Sequence, residues 1–466
     1  MALEPADSWP PTREGMSPLS WAAYGGHEVV VKMLLERDDV KPDTVDRFGH
    51  TPLFKAAWKG HEGVVKMLLE RGDVNLNTAT RRGETPIGVA IRAGNEGVVK
   101  ILLERNDISM DPVRGSDGGT PLTKAAAHGE EEIVKILLER NDVNPNTVDE
   151  YGFTPLFYAA NQKQEGVVKI LLERGDVNPN IASEDGETPL FCAAEEGHEG
   201  VVKMLLERKD VNTELADKHG RTPLHIAASK GNEGVVKILL ECKDVNNAEP
   251  TNKNGETPLI LAASEGHEGV VKMLLGREDV NPNTAGGYGE TPLSSAAREG
   301  REGVAKILLE RNDINLDPAD KYGQTPLLIA AWEGREGVVK VLLEREGVNL
   351  NAVNDRGETA LFGAASWGRE GVVKILLERV GVNSDIANLA GETALSRALD
   401  RGHHSVVKLL SEHRNIIPPL DGDEFTTLSS PEPSDLDKLP SETIGLDFKA
   451  KAQHVPPPPG SPSDQP

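Results

Sequence analysis

A period of 34 residues, written twelve times, fixes most of what this chain can fold into. One copy reads Gly49-His50-Thr51-Pro52-Leu53-Phe54-Lys55-Ala56-Ala57-Trp58-Lys59-Gly60-His61-Glu62-Gly63-Val64-Val65-Lys66-Met67-Leu68-Leu69-Glu70-Arg71. Its Thr51 recurs at Thr85, Thr120, Thr154, Thr188, Thr222, Thr257, Thr291, Thr325, Thr359 and Thr393, and Ser17 takes the place in the first copy. The step is 34 residues, except for 35 from Thr85 to Thr120 and from Thr222 to Thr257. A chain of 466 residues would otherwise suggest about three globular domains. Strict self-similarity overrides that and specifies a single file of small units.

Each unit carries its own punctuation. Thr51 is placed to accept a hydrogen bond from a free backbone N–H, and Pro52 suits the first helical position. Leu53, Ala56 and Ala57 then share one helix face. Gly60 supplies a left-handed residue to end the helix, and the same place holds glycine in eleven of the twelve copies. Lys163 is the exception and predicts local strain. A second helix starts near His61 or Glu62, with Val64, Val65, Leu68 and Leu69 as its apolar stripe. Glu62 and Lys66 are spaced to pair on its solvent side. Gly63 and its counterparts sit inside the first turn, where they weaken the helix unless a neighbour approaches closely. Asp73-Val74-Asn75 and a turn with glycine two residues before the next Thr close the unit. A helix pair with apolar stripes on both sides has no core of its own, so stability requires consecutive stacked units.

Composition narrows the function. Hydrophobic residues are 38% and aromatics 4%, which suits a thin stack built on Ala, Val, Leu and Met. A formal charge of −24 repels phosphate backbones and anionic membrane surfaces, which excludes nucleic acid as the main ligand. The two cysteines, Cys192 and Cys242, occupy non-equivalent places and form neither a disulfide framework nor a zinc site. No apolar run approaches the ~20 residues of a membrane span, and Met1–Asp7 lacks the pattern of a secretory signal. The expectation is an intracellular, cytoplasmic monomer without membrane insertion, a nuclear location being left open.

The string Gly-x-Thr-Pro-Leu-x-x-Ala-Ala-x-x-Gly-His, followed by Val-Val-x-x-Leu-Leu and Asp-Val-Asn, resembles the ankyrin repeat. The tetratricopeptide repeat shares the period, but its Trp…Leu-Gly…Tyr signature is missing. The resemblance implies an all-α repeat solenoid of about twelve helix-turn-helix units with hairpin-like loops, curved, binding proteins on its concave face. Two departures stand out: the loop is one residue longer than usual, and the customary His after Thr-Pro-Leu survives only as His225. The style of the copies also resembles long arrays of filamentous fungi, some of which form the sensor end of receptor-like proteins. A sensor fragment or a passive spacer is therefore the alternative to an interaction scaffold. The array is read as residues 15–417, after an irregular lead-in over 1–14. A tail rich in Pro, Ser and acids, read as disordered, fills 418–466 and includes Pro456–Pro459.

No catalytic constellation emerges. His27, His61, His198 and His267 recur once per unit, too far apart on packed helices to share a metal. Repeated carboxylates lie on open faces, and no nucleophile motif is present, so the chain reads as a non-enzyme needing no cofactor. What varies between copies is the loop tip and the end of the first helix, the places where ankyrin arrays meet partners. There, copies two and three offer Arg47, Phe48, His50, Trp58, Lys59, Arg81, Arg82 and Arg92. Copy five offers Tyr151, copy six the acidic Glu195 and Glu196, and copies nine to eleven Tyr288, Arg298, Tyr322, Trp332, Arg356 and Trp367. Trp, Tyr and Arg dominate interface energetics, so these seventeen positions form the candidate protein-binding surface.

Overall fold

The computed structural model describes residues 15–115, 119–242 and 248–416. The lead-in, the tail and Gly118 of the fourth turn lie outside them. Among the described residues, twenty-four helices run from Pro18 to Ile416 in twelve pairs, the first of each pair entered from the recurring Thr or Ser. Proline opens the first helix in ten units, and Ala360 and Ala394 do so in the last two.

Local chemistry accounts for each boundary. The Thr51 hydroxyl accepts the Phe54 N–H at 3.1 Å, and Thr85, Thr120 and Thr154 repeat the bond to Gly88, Thr123 and Phe157. The terminating glycines take φ between +64° and +88°. Lys163 adopts +57° in the same corner and, among the described residues, is the one non-glycine with positive φ. The strain expected from its side chain is thus present in the backbone.

Each first helix packs on the first helix of the next unit, and each second helix on the next second helix. Leu53, Ala56, Ala57, Val64, Val65 and Leu68 are fully buried, and their counterparts continue one apolar core through the file. Burial at ~25 cal/mol per Å2 of apolar surface is the main force holding the joints. Val29, Val30 and Met33 of the first unit stay exposed, whereas Val64, in the place of Val30, is covered by a preceding unit.

The joints also carry hydrogen bonds that mostly point back along the chain. His61 stands at the start of the second helix, yet it makes no capping bond there. Its Nε2 instead meets the Tyr24 carbonyl of the preceding unit at 3.0 Å. Asn95, Asn232, Arg301, Arg335 and Arg369 occupy the same place and donate to the carbonyls ending the previous first helix. The Arg of Leu-Leu-Glu-Arg does likewise for the second helix. Arg71 donates to Leu35 O, Arg174 to Leu138 O and Arg311 to Leu275 O at 2.9–3.1 Å. These groups satisfy carbonyls that a helix end leaves orphaned.

Two expectations about the second helix resolve differently. Glu62 and Lys66 form no ion pair with each other, although the equivalent Glu96–Lys100 and Glu302–Lys306 pairs close at 3.8 and 2.6 Å. The close neighbour expected at Gly63 is the Glu28 carboxylate of the unit before, which a Cβ at Gly63 would overlap. Glu62 meets Gly97 and Glu165 meets Gly200 in the same way. Glycine there admits a carboxylate beside a helix N-terminus, where negative charge is favoured.

The loops are turns rather than strands. Gly49 N–H donates to Asp46 O and Asp46 N–H to His50 O. Successive tips are joined by single backbone bonds, such as Lys218 N to Asp185 O at 2.7 Å and Lys321 N to Tyr288 O at 3.0 Å. One bond per joint is too sparse for a ladder, and among the described residues pairing of strand type is limited to the bridge between Val113 and Gly119. Lower in the loop, Asn146 donates to Asp176 O and accepts from Asn178 N–H, tying unit to unit. The Asp-Val-Asn segment thus serves the joint as well as its own loop.

Candidate functional site

The variable positions fall into groups whose fates depend on their neighbours. At the N-terminal end, Trp58 lies edge-on to Tyr24 at 6.2 Å, and Trp21 meets Tyr24 at 6.3 Å. Lys59 Nζ sits 4.9 Å from the Tyr24 ring centre and 5.0 Å from that of Trp58. Arg47 covers Phe48 at 4.5 Å, while Arg81 and Arg82 stand exposed on the next tip. Tyr24 and Trp21 were not among the sequence candidates. The signal was available for Tyr24, which occupies the same register position as Trp58.

His50 and Arg92 are each tied to a buried carboxylate. His50 stacks on Phe54 at 4.6 Å and its Nδ1 lies 3.0 Å from Asp46 Oδ2. Lys55, almost fully buried, reaches the same carboxylate at 2.9 Å. Burial works against ionisation of Asp46. Hydrogen bonds from Lys55, from the His50 and Phe48 backbone and from the His50 ring outweigh it and hold the carboxyl at about 2. Arg92 grips the buried Glu84 with two bonds of 2.6 and 3.0 Å.

In the middle, Tyr151 is exposed, Glu195 pairs with Lys230 at 3.2 Å and Glu196 faces solvent. Burial, with Glu195 and Asp185 close by, raises the Glu187 carboxyl above its ordinary value. Tyr158 donates to Asp149 at 2.6 Å, and burial followed by that bond pushes its hydroxyl up. Cys192 is sealed in the core, its thiol raised first by burial, so it offers no reactive thiolate.

Toward the C-terminal end, Tyr288 and Tyr322 flank Lys321, whose Nζ lies 3.5 and 5.0 Å from their ring centres. Lys321 is a further contributor that the sequence reading passed over. Arg298 is occupied by Glu290 at 2.6 Å, with Asp320 at 3.9 Å. Trp332 lies half-buried against Gly363 of the next unit, with Nε1 meeting no acceptor among the described residues. Trp367 is 54% exposed, with the Arg401 guanidinium 5.1 Å over its ring. These two tryptophans and Arg356 line a cleft of about 360 Å3 across the last three units.

Chemically, the surface offers aromatic faces, cations and spare donors for binding. Among the described residues no group of three or more His, Cys, Asp and Glu could hold a metal ion, and no helix is long and apolar enough to cross a membrane.

Comparison with known proteins agrees with the architecture. A family profile described as ankyrin repeats in three copies matches in overlapping segments from residues 3–79 to 339–420, without a break between them. No curated protein matches. Among solved structures, the ankyrin repeat domain of Bcl-3, titled a unique member of the IkappaB protein family, is similar at 27% identity. It covers 49% of this chain and 100% of its own, with a TM-score of 0.43. Repeats of this kind generally serve protein–protein interaction and are typically non-enzymatic. With the profile running from residue 3 to 420 over twelve matching helix pairs, the chain belongs to the ankyrin-repeat family.

Proposed function

We propose that the array is a non-enzymatic scaffold that binds one or more protein partners on its concave face, through the loop tips and the ends of the first helices. The observation that carries this reading is the set of half-exposed aromatics, Trp58, Tyr288, Tyr322 and Trp367, each next to a cation, on a buried framework that repeats with little change. Rings and guanidiniums held this way lose little conformational freedom on binding, and such residues form hot spots. The charge of −24 supports protein rather than nucleic-acid partners. Two unpaired cysteines support a cytoplasmic location. The chain acts as a monomer in this reading.

The test is capture from extracts of the native cell, comparing the full chain with a Trp58→Ala, Tyr322→Ala, Trp367→Ala variant. Loss of specific partners while circular dichroism stays unchanged is the expected result. Equal recovery by both would remove this surface from the account and favour a passive spacer.

A further inference from the structure

The cleft over the last three units stands out by the number of arginines in its lining, and it holds two unmet buried donors. Elsewhere, arginines at the ends of first helices are neutralised at home: Arg92 by Glu84 and Arg298 by Glu290. In the cleft, four arginines face two glutamates, Glu333 and Glu358. Arg397 is shared with Glu392 at 3.2 Å, and Arg369 donates to Trp332 O. Arg356 and Arg401 are exposed and, among the described residues, pair with no carboxylate. The buried polar atoms left unpaired there, Trp332 Nε1 and Arg397 Nε, are both donors. A chain of charge −24 has thus gathered, in the lining of one hollow, four arginines to two glutamates around two indoles.

We propose that this cleft is the docking site for an acidic segment of a partner protein, one whose Asp or Glu residues flank an aromatic side chain. The inference rests on the scaffold reading above and assigns the partner's chemistry. Apart from the exposed Glu333 at its edge, the unmet groups of the lining are donors and cations, so the complement supplies acceptors and negative charge. Guanidiniums bind carboxylates in planar, two-bond geometry. The open face of Trp367, with Arg401 already stacked on it, receives the aromatic ring. A single nucleic-acid strand would also combine stacking with anionic groups, but it needs a continuous basic track. Here Glu333 and Glu358 stand in the lining, and the exposed Asp355 and Asp400 adjoin Arg356 and Arg401 in the chain, which interrupts one.

The probe is a fluorescein-labelled hexapeptide, Glu-Asp-Glu-Phe-Glu-Asp, titrated with the full chain and followed by anisotropy. Its counterpart with every acid replaced by Ser is the reference. The expected result is saturable binding of the acidic peptide alone, weakened by raised salt. Arg356→Glu and Arg401→Glu should each weaken it about tenfold, and Trp367→Ala should too, while Arg82→Glu on a distant tip leaves it unchanged. All four side chains are exposed, so the fold survives these changes, and circular dichroism checks that it does. Equal affinity of the variants and the parent would overturn the assignment, as would equal binding of the Ser peptide or tighter binding of a thymidine hexanucleotide. The Arg356→Glu, Arg401→Glu double variant also enters the capture experiment above. If it keeps the partners that the aromatic variant loses, the cleft assignment fails and the scaffold stands; if no partner is found for the parent, the scaffold fails first.

Discussion

Replacing Asp46 by Asn separates the two jobs that this carboxylate performs. Oδ1 accepts the backbone N–H groups of Phe48 and His50, both at 2.9 Å, and so shapes the loop tip. Oδ2 holds Lys55 at 2.9 Å, in a pair where the carboxylate is fully covered and the ammonium nearly so. An amide preserves the first job, because other units already use one. Asn252 Oδ1 accepts from Asn254 and Glu256 at 2.9 Å, and Asn354 and Asn388 repeat the arrangement. It abolishes the second, leaving a buried ammonium without an anion. Removing one member of a buried pair costs about 3–5 kcal/mol. At 1.4 kcal/mol per decade, 3 kcal/mol is about a hundredfold rise in local opening. Hydrogen exchange read by mass spectrometry should show that acceleration over Pro52–Lys59 and fade along the array, since units couple mainly to their neighbours. The double variant Asp46→Asn, Lys55→Leu installs the pair that the eighth unit carries, Asn252 with Leu261, and should recover most of the loss. Exchange that is unchanged in the single variant, or faster still in the double, would refute the reasoning. The carboxyl held at about 2, below its ordinary 3.8, adds a sign: its contribution is complete above pH ~4 and falls away as pH drops toward 2.

Lys163→Gly should stabilise the array by about 0.5–1 kcal/mol, the left-handed penalty less the extra freedom of glycine in the unfolded chain. Urea unfolding should show a raised midpoint, and a lowered one would mean that the side chain makes up for its backbone. His225→Phe tests the surviving His. Thr222 N–H donates to Nδ1 at 3.1 Å, leaving Nε2 to donate to Glu256 O at 3.1 Å, and burial holds the ring's affinity for protons below its ordinary value. Its contribution is complete above pH 6.5 and lost as pH falls below that, so melting of the parent should decline there more steeply than that of the variant. Glu187→Gln should raise the melting temperature at pH 7, because the raised carboxyl is ionised there at a cost, and the gain should vanish below pH ~4.5.

The twelve helix pairs were legible because each boundary rests on chemistry within four residues: a hydroxyl cap, a proline, a left-handed glycine. The joints were less so. His61 looked like part of its own helix start, and its partner lies 37 residues earlier, a distance that no local rule addresses. Candidate surface residues divided for a related reason. Arg92, Arg298 and Trp332 share one register position with Trp58, yet the two arginines are tied to carboxylates and Trp332 is half-buried, while Trp58 stays exposed. Glu84 and Glu290 stand eight residues before the two arginines and claim them. Gly363 in the next unit makes room for the Trp332 indole. The eight-residue spacing was visible in the chain. The fit of an indole over a neighbour's bare backbone was not, since it depends on the rotamer and on the angle between units.

The backward reach of His61, Arg71 and their equivalents gives the array an order of assembly. A chain leaves the ribosome N-terminus first, so each newly made unit finds its acceptor carbonyls already folded and waiting. Growth by one unit therefore strands none of these side-chain donors, and the helix-end carbonyls they will later meet are left to water until the next unit arrives.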